Sequence, residues 1–357
     1  MTIESWPDNP QWPDQSWVSM DHQLAQTVWV LIQEKPGCPE LPKRYKKTHS
    51  GKVRETYQHP DADNLLIMFA TDRISTHDVI HTWLVPWKWK TLTRMSDFWF
   101  DNFSKNSDTW NIPNQLAPRE KFPDDFPEQY MESAIIVKKM KPLPIEAIMR
   151  WYLYGSALKG YNKNTWKLAT WEFVWKWLDK CSKFDTPLFT PSTKSNWWDE
   201  NVNFEQMVST LEQWLIDNKY ENINALELAN QVKDYSERLY KRANTVSQEK
   251  WLILWDTKFE FGLDVNGKLT LIDEACTADS SRLWTATSVI EWKEPEAHDK
   301  QPVRDYVIWY WKKHPDKNGK YYEEEWFEKY PVEIPSNILN QCSERYDDVD
   351  NRIQKAA

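Results

Sequence analysis

Along "DTKFEFGLD", Asp256, Lys258 and Glu260 alternate with Thr257, Phe259 and Phe261. Period-two geometry therefore puts three ionisable side chains on one face of a strand and the aromatics on the other. The run "KLTLIDEA" follows after Asn266-Gly267, the pair that favours a two-stranded hairpin. It returns Asp273 to the neighbourhood of Glu260. Two carboxylates so placed repel each other unless a cation lies between them, and Mg²⁺, an oxygen-seeking ion usually held by one or two carboxylates plus phosphate oxygens, suits that place. Spacing alone leaves two readings open, an exposed charged hairpin or a metal site.

Two other groups of residues suit phosphate. In "MRWYLYGSALKGY", Arg150 offers a planar fork, and Gly155-Ser156 adds backbone N–H groups and a hydroxyl. A surface arginine beside a turn explains the same letters. In "SGKVRETY", Gly51, Lys52 and Arg54 form a turn entering a strand, although neither GxGxxG nor GxxxxGK[ST] is present.

These groups must be carried by regular elements. "GKVRETYQH", "NLLIMFATD" (64–72) and "SAIIVKKM" (133–140) read as strands of an antiparallel sheet. Between them "TRMSDFWFDNFSKN" has helical spacing, with Met95, Phe98, Trp99 and Phe103 on one side. In the second half, Leu228, Val232, Tyr235, Leu239, Ala243 and Val246 make an apolar stripe on a long helix, which reads as packing. The strands "LILWDTKFEFGLD" and "KLTLIDEA" follow, then helices near 302–313 and 336–353. Residues 1–45 read as an extension with a helix near 20–34, and no internal repeat is evident.

The bulk properties narrow the field. A chain of 357 residues suits one large or two medium domains. A net charge of −9 argues against a general binder of nucleic acid or anionic membrane, which needs an electropositive face. No apolar run approaches the roughly 20 residues of a membrane span, and "MTIESWPDNPQW" lacks the features of a secretory signal, so a cytoplasmic location is expected. Cys38, Cys181, Cys276 and Cys342 have no CxxC spacing and read as ordinary thiols.

Taken together, "GKVRETY", "LLIMFATDRISTHDV", "VPWKWKTLTRMSDFWF", "MRWYLYGSALKGY", "LFTPSTKSNWWDENVNFE", "WDTKFEFGLD", "LIDEACTADSSRLW" and "HDKQPVRDYV" occur in the order seen in SAICAR synthetases. The resemblance runs from about residue 40 to residue 353. It implies an α+β, two-domain SAICAR-synthase-like fold, with an antiparallel-sheet N-terminal domain, a mixed α/β C-terminal domain and the ATP site between them. The corresponding division is 1–45 extension, 46–140 nucleotide-binding domain, 141–314 substrate- and metal-binding domain, and 315–357 C-terminal linker and helix.

The activity implied is an ATP-dependent ligation of L-aspartate to the carboxylate of a carboxyaminoimidazole ribotide in purine biosynthesis, through an acyl phosphate. Such chemistry relies on positioning and charge neutralisation, so no protein nucleophile is needed. By resemblance, Gly51, Lys52, Val53 and Arg54 cover the ATP phosphates, and Lys138 to Met140 lie along the adenine pocket. Glu260 and Asp273 hold Mg²⁺. Arg150, Ser156 and Arg282 clamp the ribotide phosphate, Lys258 addresses its carboxylate, and Asp279, Ser280 and Ser281 line the same pocket. Asp72, Arg73 and Ser75 form the edge of the substrate cleft. Asp299, Lys300 and Arg304 lie on the nucleotide or aspartate side, and Asp199, Glu200 and Asn201 complete the substrate contacts. Small-molecule substrates are the partners expected, with neither nucleic acid nor membrane. The chain departs from the family in a shortened "KSNWWDEN" and in Ala278, where proline is usual.

One anomaly cuts across this reading. Average usage predicts roughly 25 glycines in a chain of this length, yet there are 7, beside 24 tryptophans. The family reads Pro-Gly-Lys-Gly-Lys where this chain has "PWKWK", which puts Trp87 and Trp89 at glycine positions. Trp151, Trp251 and Trp292 stand at others, as do Trp171, Trp175, Trp177 and one or both of Trp197 and Trp198. Trp99 and Trp284 match family tryptophans. The pattern implies a gene whose UGA codons mean glycine and were read as tryptophan. The competing readings are a homologue that binds nucleotide without turnover, and an aromatic-rich binding protein whose tryptophans are genuine.

Overall fold

The structure is a computed structural model, and it describes residue 37 and residues 39–162, 167–168, 170, 174, 178–194, 200–288 and 295–355. The expected helix near 20–34, Asp199, and Trp171, Trp175, Trp177, Trp197, Trp198 and Trp292 lie outside the described residues. The chain from Gly37 onward forms one unit by its internal contacts.

Four antiparallel strands open it: β1 (Lys47–Ser50), β2 (Arg54–Gln58), β3 (Leu65–Ala70) and β6 (Ala134–Lys138), in that spatial order. Alternation in "LLIMFA" sends Leu65, Ile67 and Phe69 to one side, where they are buried with Tyr57, Phe126 and Ile136. Tyr57 pairs with Ile67 and Ile67 with Ile136, so one apolar row crosses three strands. A short hairpin, β4 (Arg73–Thr76) and β5 (Val79–Leu84), follows β3.

Helix α1 (Lys88–Lys105) packs on β3. Met95, Trp99 and Phe103 are buried as the spacing predicts, with Phe100 beside them, whereas Phe98 is only half-buried. It begins five residues before the expected start at Thr93, because the run "KWK" after Trp87 is itself helical. The carboxylate of Asp72 accepts from the Trp89 N–H at 3.1 Å, satisfying from a distant segment a donor that no local cap serves.

The second sheet has six strands built around two long ones, β7 (Lys141–Tyr152) and β10 (Leu252–Leu263). β8 (Lys183–Phe189) and β9 (Ser192–Thr193) pair with β7, while β11 (Leu269–Ile272) and β12 (Ser281–Thr285) pair with β10. β7 escapes sequence reading because Pro142 and Pro144 interrupt it; a register shift between Glu260 and Gly262 accommodates Pro142 opposite Gly262. The expected hairpin turn is present: Gly267 has φ 78, and the Asp264 carboxylate accepts from the Asn266 and Lys268 N–H groups.

Helices α2 (Gly155–Gly160), α3 (Phe204–Asp217), α4 (Ala225–Glu249), α5 (Gln301–Lys313) and α6 (Ser336–Gln354) complete the described chain. Every residue of the stripe predicted for α4 is buried, and its Tyr235 ring meets Phe261 of β10. No helix among the described residues is long and apolar enough to cross a membrane.

Candidate active site

The register of the large sheet assembles the charged groups. Asp256 on β10 lies opposite Arg150 on β7 and Arg282 on β12, and Glu260 lies opposite Glu146. Burial speaks against an exposed charged hairpin: Asp256 is 6% exposed, Glu260 7%, Glu146 5% and Arg150 2%. A face that merely served solvent would not be covered in this way. Charges so placed must be paired.

Lys258 Nζ bonds Glu146 and lies 3.4 Å from Glu260, whose other oxygen takes Lys194 Nζ. Burial pushes the Glu260 carboxyl up, but the two ammonium groups outweigh it and hold the group at about 2. Asp273 follows β11 with φ 61, and its carboxylate faces Arg54 Nη1 at 3.3 Å. The other arm of Arg54 reaches Glu274 at 2.6 Å. Burial raises the Asp273 carboxyl, Arg54 draws it down, and the neighbouring Glu260 and Glu274 push it up again. The cations standing at this carboxylate pair are thus Lys194, Lys258 and Arg54.

Among the described residues no cluster of three His, Cys, Asp or Glu side chains could enclose a metal. Two oxygen-only ligands nevertheless fit Mg²⁺, which takes few protein ligands and fills its octahedron with water and phosphate oxygens. The donor set therefore suits an ion brought in with a polyphosphate, and does not suit a closed structural cage.

Further along β10, Arg150 Nη1 stands 3.7 Å from Asp256 and Arg282 Nη1 bonds the same carboxylate. Two guanidinium groups share one carboxylate, which leaves a net positive charge for an oxyanion. Arg150 is oriented by a 2.7 Å bond from Nε to Thr190 Oγ1, and burial pulls its pKa down. Arg282 lies over the Tyr154 ring at 5.5 Å. Gly155 has φ +56, and a Cβ there would come within 2.7 Å of Arg282 Nη2, so both backbone and space demand glycine. Ser156 is exposed in the next position.

The loop Gly51–Val53 joins β1 to β2, and Gly51 N–H closes it on Arg54 O at 2.8 Å. Arg73, fully buried, braces it from β4 by donating to the carbonyls of Lys52, Gly51 and Arg54 at 3.0, 3.2 and 3.3 Å while pairing with Glu55 at 2.6 Å. Lys52 reaches Asp78 in the β4–β5 turn. Ser75 is buried in β4, and Asp72 caps α1 as described above. Lys138 closes β6 with an exposed side chain, and half-buried Met140 borders Gly262. Gln115 links the two sheets here, accepting from Lys138 N–H and donating to Leu271 O and Asp273 O. Glu200 and Asn201 are exposed beside β9, where Glu200 O accepts from Thr193 N–H and Asn201 bridges Ser192.

Asp279 sits in the turn before β12 with both oxygens engaged: Lys88 Nζ at 2.6 Å, Lys300 Nζ at 3.6 Å and Tyr346 Oη at 2.7 Å. Burial raises its carboxyl, and the two lysines and the phenol more than reverse this, holding it well below the usual carboxylate range. Ser280 O accepts from Lys258 N–H, and the Ser281 hydroxyl meets Thr257 Oγ1 at 2.8 Å. Asp299, fully buried, accepts from Gln301 N–H at 2.6 Å and pairs with Arg304 at 3.4 Å. Sequence reasoning missed Glu146, Lys194 and Tyr346. The first two emerge only once the register is known, and Tyr346 lies in a tail helix whose pattern reads as packing.

The family model described as SAICAR synthetase matches residues 47–318. The phosphoribosylaminoimidazole-succinocarboxamide synthase of Desulfotalea psychrophila is 37% identical over 315 residues, covering 85% of this chain and 94% of that one. A Saccharomyces cerevisiae SAICAR synthase complexed with SAICAR superposes with a TM-score of 0.70 at 28% identity, covering 89% of this chain and 98% of the other. A type-2 SAICAR synthetase in complex with ADP shares the fold at TM-score 0.57 and 18% identity, over 86% of this chain and 97% of the other.

Proposed function

The chain belongs to the SAICAR synthetase family, and from that premise we propose that its paired sheets form the site of an ATP-dependent ligase of purine biosynthesis, joining L-aspartate to the carboxylate of a carboxyaminoimidazole ribotide. The observation that carries this reading is the spacing along β10. Lys258 stands two residues from Asp256, and Glu260 four, which is roughly 7 and 13 Å on an extended strand. A phosphate held by Arg150 and Arg282 at the Asp256 end leaves the ribose to run along the strand. It brings the heterocycle's carboxylate to Lys258, beside the Glu260 and Asp273 pair.

In the first step a ribotide carboxylate oxygen attacks the terminal phosphorus of ATP and ADP leaves. The aspartate amine then attacks the acyl phosphate carbon, an amide forms, and inorganic phosphate and a proton depart. Lys258 and Lys194 neutralise charge around the reacting carboxylate, and the Gly51–Arg54 loop covers the nucleotide phosphates. Glu260 and Asp273 would hold Mg²⁺, which supplies charge neutralisation to the polyphosphate. Asp299, Lys300 and Arg304 are assigned to the nucleotide or aspartate side, and Asp199, Glu200 and Asn201 to further substrate contacts. We read the four-stranded sheet as the nucleotide half and the six-stranded sheet as the substrate half. The buried free thiols of Cys276 and Cys342 support a reducing, cytoplasmic setting.

The test is ADP release that requires both ribotide and aspartate. Glu260→Gln keeps the size of the side chain and removes its charge, so Mg²⁺-dependent turnover is expected to fall by at least a hundredfold with the fold retained. An unaltered rate would remove Glu260 from the metal site.

We also propose that many tryptophans of this sequence are glycine in the organism, through UGA recoding. Backbone geometry supports this. Trp87 has φ 62, Trp251 φ 58 and Trp326 φ 68, and their side chains are 65, 69 and 83% exposed. A bulky residue in left-handed conformation is strained, and these three gain no packing in return. Trp151, by contrast, sits in β7 and donates to Phe184 O at 3.0 Å, so its backbone makes no special demand. The codons decide: UGG at positions 87, 89 and 151 would end the proposal.

A further inference from the structure

We propose that Tyr346, on the C-terminal helix α6, is a positioning residue that acts through Asp279 to hold the turn from which Arg282 reaches the substrate phosphate. The helix lies wholly beyond residue 318, where the family match ends.

Four observations support the assignment. The Tyr346 hydroxyl is fully buried and donates to Asp279 Oδ1 at 2.7 Å. The Asp279 carboxylate is only 3% exposed, so it serves the protein interior. Its turn is tight: Ser281 N–H bonds Thr277 O at 2.9 Å, Thr277 N–H bonds Ser280 Oγ at 3.1 Å, and Arg282 follows at once in β12. Finally, α6 is indexed against α1, the helix that supplies Lys88. Thr91 Oγ1 donates to Asp347 at 2.9 Å, Arg94 Nε to Asp350 at 2.8 Å and Ser343 Oγ to Pro86 O at 2.8 Å. The carboxylate is therefore pinned from three directions, by α1, by Lys300 ahead of α5, and by α6.

The three contacts differ in kind. Lys88 and Lys300 bring charge, which attracts the carboxylate without fixing its rotation. A neutral phenol on one oxygen brings direction. A tyrosine that only packed would be equalled by phenylalanine. Here the oxygen lies against a carboxylate whose other charged and titratable neighbours include Arg54, Glu274 and Cys342, while Asp299 lies near the phenol itself.

The inference rests on the ligase reading for what Arg282 binds, and the experiment separates the two. In full-length Tyr346→Phe the ring and its packing remain, so KM for ribotide is expected to rise on the order of tenfold, the loss of one charge-assisted bond, with KM for ATP within twofold. Val349→Ala, an equally buried α6 residue with an apolar side chain, is expected to lower Tm and leave KM for ribotide unchanged. Independently of turnover, the carboxyl ¹³C resonance of Asp279 should titrate at higher pH in Tyr346→Phe, because a donor to the ionised form has gone. An unmoved titration, an unchanged KM for ribotide, or an equal rise in Val349→Ala would overturn the assignment. A parent enzyme that releases no ADP with both substrates, while the carboxyl titration still moves, would instead refute the ligase reading.

Discussion

Gly155 shows how much of the site depends on a single absent atom. Its left-handed backbone and the 2.7 Å gap to Arg282 leave no room for a methyl group. Gly155→Ala is expected to displace the guanidinium and cost about 1–2 kcal/mol of backbone strain. KM for ribotide should rise at least tenfold while KM for ATP stays near the parent value, as steady-state kinetics with each substrate varied would show. At this scale the sequence was informative where a motif is contiguous: Arg150, Gly155, Lys258, Glu260 and Arg282 are all visible as letters in runs the family shares. It was silent where partnership depends on register. Nothing adjacent to Glu146 marks it as the residue opposite Glu260, nor Lys194 as the cation on that carboxylate. Arg73 illustrates the converse: the "TDRIS" run suggests a cleft edge, and the side chain proves to be a wholly buried brace for the neighbouring loop.

Elements were legible where periodicity is clean. α4 follows its stripe residue by residue, and β3 alternates as its sequence does. β7 was hidden by two prolines, and the early start of α1 depends on Asp72, a residue sixteen positions before the helix. The β4–β5 hairpin carries a further consequence. His81 is buried, its Nδ1 accepts from Val332 N–H at 3.2 Å, and Nε2 meets Thr76 Oγ1 at 2.8 Å, so the ring is neutral and its protonation would break the bond to Val332. Burial, with His77 and Lys300 nearby, lowers its pKa to about 3; burial likewise lowers His77, to about 4, and His298. The unfolded chain takes up these protons near pH 6.5 and the folded one does not, so stability is expected to fall as pH drops below 6.5. Each such group contributes up to about 1.4 kcal/mol per pH unit. In denaturant titrations, His81→Gln should flatten the slope between pH 6.5 and 5 by up to one proton; an unchanged slope would show that His81 titrates alike in both states.

At the scale of the whole molecule, the scarcity of glycine bears on stability. Three exposed left-handed tryptophans at about 1–2 kcal/mol each represent a sizeable part of the 5–15 kcal/mol that holds an ordinary domain folded. Restoring glycine at 87, 251 and 326 together is therefore expected to raise the free energy of unfolding by several kcal/mol, with the shifts additive because the sites are independent. Chemical denaturation of the single and triple variants measures this. No shift, or a fall, would mean that tryptophan is the residue the fold was selected with.

The way Arg73 secures the loop between β1 and β2 has a thermodynamic corollary. The carbonyls of Gly51 and Lys52 in that loop, and of Arg54 where β2 begins, all accept from the one Arg73 guanidinium. A segment held in this manner surrenders little further freedom on complexation. Calorimetry should accordingly find ATP association with a small entropic penalty, and Arg73→Lys, which cannot reach all three oxygens at once, should make that penalty larger while the heat released changes less.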